Sequence, residues 1–207
     1  MAKIKDVEIF QLFPTPVYIS ELNKFTKDQV KFVDNVLKTN STTNKGNIIS
    51  NDKDVLGNKV FEKVKDEVML HLYNYMNKVV SPNSNVEIYI TQSWLNYTRK
   101  NQNHHQHTHP NSYLSGVLYF DVGDEDKIFF EKNEKRNILS MDVKEYNIFN
   151  SGSWWLPVKT QNIFIFPSWL EHYVETKNEN NLRISIAFNT FLRGEFGKED
   201  MSNYLKL

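Results

Sequence analysis

Apolar positions recur with helical spacing in the first third of the chain and with strand spacing afterwards. From Phe25 to Lys38 the apolar residues Phe25, Val30, Phe32, Val33, Val36 and Leu37 fall near a period of 3.6, with Thr26 placed to cap the amino end. Val60 to Val80 repeats the pattern more strongly through Val60, Phe61, Val64, Val68, Leu70, Leu72, Tyr73 and Met76, which predicts a helix that packs across a sheet. Ahead of both, VEIFQLFPTPVYI at 7–19 holds two apolar runs split by Pro14 and Pro16. Proline removes a ladder donor, so this segment predicts an edge strand that opens the sheet. The polar stretch Thr39 to Asp54 predicts a long loop, and lining a substrate entrance would account for its length.

After Ser81-Pro82-Asn83 the pattern becomes short β-runs between polar turns. Strands are predicted over Glu87 to Thr98, Tyr113 to Asp121, Lys127 to Glu131, Asn137 to Met141, Tyr146 to Asn150, Trp154 to Pro157, Asn162 to Phe166, His172 to Thr176 and Leu182 to Leu192. Strands at this spacing with no helical period between them predict a sandwich or jelly roll rather than a parallel sheet. The tail after Gly194 predicts irregular structure or a short helix. The paired Trp154-Trp155 alternates with Ser153 and Leu156 as sheet packing would.

The length of 207 residues and the 40% apolar content fit one domain with a sizeable core. Lys plus Arg equals Asp plus Glu at 25 each, so the basic footprint of a bulk nucleic-acid binder is missing. There is no cysteine, which excludes disulfides and leaves His, Asp or Glu as ligands for any metal. Charges interrupt every apolar run near the amino end, and no run approaches about 18 apolar residues. A soluble, cytoplasmic protein with no membrane partner is expected; the oligomeric state is not legible.

Candidate chemistry concentrates in HHQHTHPNSYLSGVLY at 104–119. On an extended strand His107 and His109 project from one face roughly 7 Å apart along the backbone, close enough for two imidazoles to meet one cation. His105 and His107 have the same spacing and are an alternative pair. A surface histidine tract that binds metal incidentally is the plainer reading of so many adjacent histidines. His172 lies far along the chain in FIFPSWLEHYV, and Arg183 follows in RISIAFN. If residues 177–180 close a hairpin, Val174 faces Arg183 and His172 faces Ser185, so His172, Arg183 and Ser185 share one face. A one-residue slip would separate them. An inward guanidinium needs an anion, which a carboxylate can supply bidentately. The competing reading makes Arg183 a surface residue or a structural partner of Glu175 or Glu171.

These residues resemble the 2-oxoglutarate/Fe(II)-dependent oxygenases, in particular small oxygenases of the kind found in marine phages and bacteria. LFPTPVY at 12–18 resembles the family's opening, His107-Thr-His109-Pro-Asn-Ser-Tyr-Leu-Ser-Gly-Val-Leu-Tyr119 its first ligand strand, Phe166-Pro-Ser-Trp-Leu-Glu-His172 its distal ligand segment, and Arg183-Ile-Ser-Ile-Ala-Phe-Asn189 its closing strand. The resemblance implies a mainly β (α+β) double-stranded β-helix, a cupin-like jelly roll, with N-terminal helices packed on the major sheet. Residues 1–82 would form the helical buttress, 83–193 the β-helix core and 194–207 the tail. It implies Fe(II) on His107 and His172, with His109 the candidate third ligand, and 2-oxoglutarate held by Arg183, Ser185 and Tyr119.

His109 stands where the wider superfamily has Asp or Glu, so it is either a third ligand or lies just behind the ligands. Three neutral imidazoles leave a ferrous centre at +2, whereas a carboxylate leaves it at +1. Trp94, Asn96 and Asn189 are candidates for the substrate pocket, with core packing the competing reading and, for Trp94, the preferred one. The implied reaction is hydroxylation of a small-molecule or peptidyl substrate by dioxygen, with release of succinate and CO2, in a cell or a phage-infected host. Two rivals stand beside it: a three-histidine cupin-type dioxygenase without 2-oxoglutarate, and a non-catalytic jelly-roll binding module.

Overall fold

The computed structural model describes residues 6–82, 85–132, 139 and 141–207. Strand β1 (Tyr18–Glu21) is followed by helix α1 (Lys27–Thr39), the hairpin β2 (Ser41–Thr43) and β3 (Ile48–Ser50), and helix α2 (Glu62–Tyr75) with a π-helical turn at Met76–Val80. The β-rich part comprises β4 (Val86–Thr98), β5 (His104–His107), β6 (Leu114–Asp121), β7 (Lys127–Glu131), β8 (Ser153–Pro157), β9 (Asn162–Pro167), β10 (His172–Val174), β11 (Arg183–Phe196) and β12 (Leu205–Lys206).

Two antiparallel sheets result. The larger runs β1-β9-β6-β11-β4-β3-β2, with β12 also on β11; the smaller runs β5-β10-β7-β8. From β4 to β11 the chain passes back and forth between the sheets, except that β7 and β8 both stay in the smaller one, which is the order expected of a double-stranded β-helix. The period-2 pattern of β11 explains how one strand serves two environments. Ile184, Ile186 and Phe188 join a core with Val33 and Val36 of α1 and with Val64, Val68 and Leu72 of α2. Arg183, Ser185 and Ala187 turn the other way, into the space between the sheets. Strand β9 divides likewise: Ile163 and Ile165 belong to the helix-side core, Phe164 and Phe166 to the inter-sheet core with Tyr119, Ile128 and Phe130. Each fully buried aliphatic or aromatic side chain contributes about 1.5–3 kcal/mol, so this division fixes the register firmly.

Helix α1 starts where the sequence predicts. Thr26 accepts from the Gln29 amide at 3.3 Å and the Gln29 side chain accepts from the Thr26 amide at 2.8 Å, a reciprocal capping box. The opening strand is shorter than predicted: it begins at Tyr18, beyond both prolines, and lies at the sheet edge. Residues Thr39 to Asp54 are not a loop throughout but carry the β2–β3 hairpin, which extends the larger sheet beside β4. The segment Tyr146 to Asn150 is a turn rather than a strand, closed by Asn147 and Asn150 bonding neighbouring amides. The predicted strand Asn137 to Met141 lies mostly outside the described residues. The tail is irregular over 197–204 as expected, but β11 runs on to Phe196 and the two-residue β12 folds back on it.

The hairpin expected between His172 and Leu192 does not form. β10 pairs with β5 and β7 in the smaller sheet, while β11 pairs with β4 and β6 in the larger. Trp154 and Trp155 both lie half-exposed on the edge strand β8 rather than packed within the sheets, and Lys127 Nζ sits 4.2 Å from the Trp155 ring in a solvent-side cation–π contact.

Candidate metal centre

His107 ends β5 and His172 opens β10, and the two are direct partners in the antiparallel ladder. His109 lies two residues beyond His107, in the connection to β6, where its amide donates to Ser168 O at 2.9 Å and so ties it to the chain just before β10. One potential ligand atom from each of the three rings lies within 4.8 Å of the others. His109 and His172 approach most closely, with 3.3 Å between their Nε2 atoms. Two nitrogens each ~2.1 Å from a shared first-row ion are ~3.0 Å apart at a right angle, so the spacing suits a common ion. His105 is not in this group.

The remaining ring nitrogens support the same chemistry. His107 Nδ1 lies 2.7 Å from His105 O and His172 Nδ1 lies 3.0 Å from Leu170 O. A carbonyl only accepts, so each Nδ1 carries the proton and each Nε2 presents its lone pair towards the cluster. Burial, followed by the neighbouring imidazoles, keeps the rings neutral: His109 is lowered to about 4, and His107 and His172 also lie below the ordinary histidine value. Three neutral nitrogen donors suit iron, nickel, copper or zinc.

One cavity connects this cluster to the carboxylate-binding candidates. It has a volume of about 40 Å³. His107, His109, His172, Arg183, Ser185 and Tyr119 all line it. Ser185 faces Tyr119 across the β11–β6 ladder and Asn96 across the β11–β4 ladder, and Trp94 faces Ala187 one step further along. Trp94 lies 5.8 Å from the His109 ring, so it and Asn96 are wall residues. Asn189 is placed differently: its Oδ1 accepts from Ser115 Oγ at 2.9 Å, and it is not part of the cavity wall.

Sequence reasoning missed Asp126. Arg183 donates to Asp126 Oδ1 at 3.0 Å and Lys177 to Asp126 Oδ2 at 2.8 Å, all three side chains being almost wholly buried. The Gly123 amide adds a bond of 2.8 Å. The counter-charge of Arg183 is therefore Asp126, not Glu171 or Glu175. Asp126 occupies a polar turn, GDEDK at 123–127, whose composition marks it only as exposed; the signal was the inward Arg183, which required an acid somewhere. His104 was also missed. It stacks on His107 with centroids 4.7 Å apart and lines the same cavity, and its value is lowered to about 3 by burial first and by His107 next.

Residues 92–189 match the family described as "Putative 2OG-Fe(II) oxygenase". Over this span, a little under half of its length, the chain is similar to the 2OG-Fe(II) oxygenases. The matched span contains all the candidate site residues, from Trp94 to Asn189. No curated relative matches its sequence. Among solved structures, a 2OG-Fe(II) oxygenase family oxidoreductase from Burkholderia pseudomallei is similar at 9% identity and TM-score 0.56, over 84% of each chain. HygX from Streptomyces hygroscopicus, with nickel, 2-oxoglutarate and hygromycin B bound, is similar at 11% identity and TM-score 0.56, over 85% of this chain and 82% of its own. The α-ketoglutarate-dependent epimerase SnoN from nogalamycin biosynthesis is similar at 9% identity and TM-score 0.56, over 84% and 77%. At these identities the likeness concerns the fold. Among the described residues no helix is long and apolar enough to cross a membrane. The match over 92–189 points to an oxidoreductase that uses Fe(II), 2-oxoglutarate and dioxygen.

Proposed function

We infer that the protein hydroxylates its substrate with Fe(II) held by His107, His109 and His172 and with 2-oxoglutarate anchored by Arg183. The observation that carries this reading is the convergence of three neutral imidazole nitrogens in the cavity that Arg183, Ser185 and Tyr119 also line. Iron with 2-oxoglutarate and dioxygen supplies oxidative decarboxylation to succinate and CO2, coupled to insertion of oxygen into a substrate C–H bond.

The protein's own groups bind, orient and exclude water. The backbone carbonyls of His105 and Leu170 hold the His107 and His172 rings in the tautomer that ligates. His109 replaces the carboxylate common in this superfamily, so the ligand set contributes no negative charge and favours an anionic cosubstrate. Asp126 engages Nη1 of Arg183 from one side, and the guanidinium reaches the cavity with its remaining donors for a carboxylate. Tyr119, pushed above the ordinary phenol value by burial, keeps its proton and can donate to the same carboxylate alongside Ser185. Trp94 and Phe166 wall the histidines off from water.

The test is anaerobic addition of Fe(II) and then 2-oxoglutarate, followed by admission of dioxygen. A weak visible charge-transfer band that needs both components, and succinate release that needs oxygen, are expected. Iron binding without the band would remove 2-oxoglutarate from the assignment.

A further inference from the structure

We propose that the open groove beside His109 binds the primary substrate and accepts a neutral, predominantly apolar group; this rests on the reading of His109 as a ligand above. The groove has a volume of about 490 Å³, in the range of small-molecule sites. It lies between the β5–β6 connection, the β9–β10 connection and the carboxyl end of the second helix. Among the described residues His109 alone lines both this groove and the histidine cavity. A molecule seated in the groove therefore lies against one candidate ligand, where oxidation would take place.

The wall has a definite chemistry. Pro16, Val79, Val80, Pro110, Tyr113 and Pro167 provide apolar surface, and among the described residues no Asp, Glu, Lys or Arg lines the groove. A phosphate, free carboxylate or ammonium would lose hydration there without gaining a counter-charge. Of the hydroxyls that line it, those of Ser112 and Ser168 are already bonded within the protein. Ser168 Oγ donates to Ser112 Oγ at 2.7 Å and lies 2.8 Å from Ser115 Oγ, while Ser112 Oγ accepts from the Thr190 amide at 3.2 Å. The exposed character of the groove is thus more apolar than its residue names suggest.

The groove is also held in shape. The His109 amide donates to Ser168 O and the Ser168 amide to Tyr113 O at 3.1 Å, so two of its three walls are bonded together. The third is the π-helical turn Met76–Val80, which ends on Ser81 in a left-handed conformation with φ 48°. That wider turn sets Val79 and Val80 into the wall, 44% and 37% exposed in the protein alone. Among the usual substrate classes, nucleotides, free amino acids and polycations do not suit this surface; an uncharged ring or aliphatic chain does.

The experiment titrates the N-acetyl amides of phenylalanine, leucine and proline, and the corresponding zwitterionic amino acids, into Fe(II)- and 2-oxoglutarate-loaded protein without oxygen. Binding is read by NMR shifts and by perturbation of the visible band. At least one neutral amide should bind about 10-fold or more tightly than its zwitterion, and Val80→Asp should abolish that preference while leaving the band unchanged. Equal binding of both forms, no binding of any amide, or an unaffected Val80→Asp variant would overturn the proposal. The same titration on metal-free protein reads the groove separately. A missing band in the parent protein would therefore count against the iron and 2-oxoglutarate assignment and not against the groove.

Discussion

The Nε2 atoms of His109 and His172 lie 3.3 Å apart although 63 residues separate them in the chain. His172→Ala should lower Fe(II) affinity by more than the ~10–100-fold that follows loss of a residue supporting a ligand. His109→Asp should keep iron, because it restores a carboxylate at the same place, but bind 2-oxoglutarate less tightly once the centre falls from +2 to +1. Calorimetric titration of metal and cosubstrate measures both. Unchanged iron affinity in His172→Ala would remove it from the ligand set.

Arg183→Ala should weaken 2-oxoglutarate binding by about 2–5 kcal/mol while Fe(II) still binds. Asp126 keeps Lys177 and the Gly123 amide in this variant, so the fold should survive. The visible band against 2-oxoglutarate concentration gives the shift. Equal affinity in variant and parent would refute the role given to Arg183.

Asp126→Asn should be the more damaging change for stability. It leaves two buried cations, Arg183 and Lys177, with Glu179 alone opposite Lys177. Breaking a buried pair in this way costs about 3–5 kcal/mol, measurable by urea denaturation. A change within ~0.5 kcal/mol would mean that the cluster is solvated in solution.

Acid should destabilise the metal-free protein over a defined window. His104 is lowered to about 3 and His109 to about 4 in the folded state, against about 6.5 in the unfolded chain. Between these values the unfolded state binds more protons, so stability is complete above pH ~6.5 and declines as the pH falls towards 4. Thermal melts at pH 7.5 and 5 should show the loss, reduced when a metal occupies the rings. A flat profile would count against burial of these histidines.

Gly116→Ala tests the packing behind the site. A Cβ at Gly116 would overlap the Phe188 ring and come within 2.8 Å of Phe164 O. Phe188 is fully buried, so the strain should cost about 1–3 kcal/mol by denaturation. No loss would show that the ring can swing aside.

The histidines and the arginine were legible because their types are chemically unusual on strand-like segments and the period of two gives each a face. The Thr26 cap was legible because it is local. The sheet to which β10 belongs was not, because nothing within His172 to Thr176 distinguishes pairing with the next strand from pairing with His107, more than 60 residues back. The β2–β3 hairpin hid in a run of Asn, Ser and Thr whose strand character comes from pairing with β4, not from hydrophobicity. Asp126 hid in a turn, since burial of an acid depends on which cations the fold brings to it.

Because Arg183, Ser185 and Ala187 alternate with Ile184, Ile186 and Phe188 along β11, this strand behaves like a reading frame. Removing one residue near its start would send the isoleucines towards iron and the guanidinium into the oil beneath the helices. Variation compatible with function should therefore arrive at β11 as substitution or in paired steps, and length changes should gather in its flanking connections.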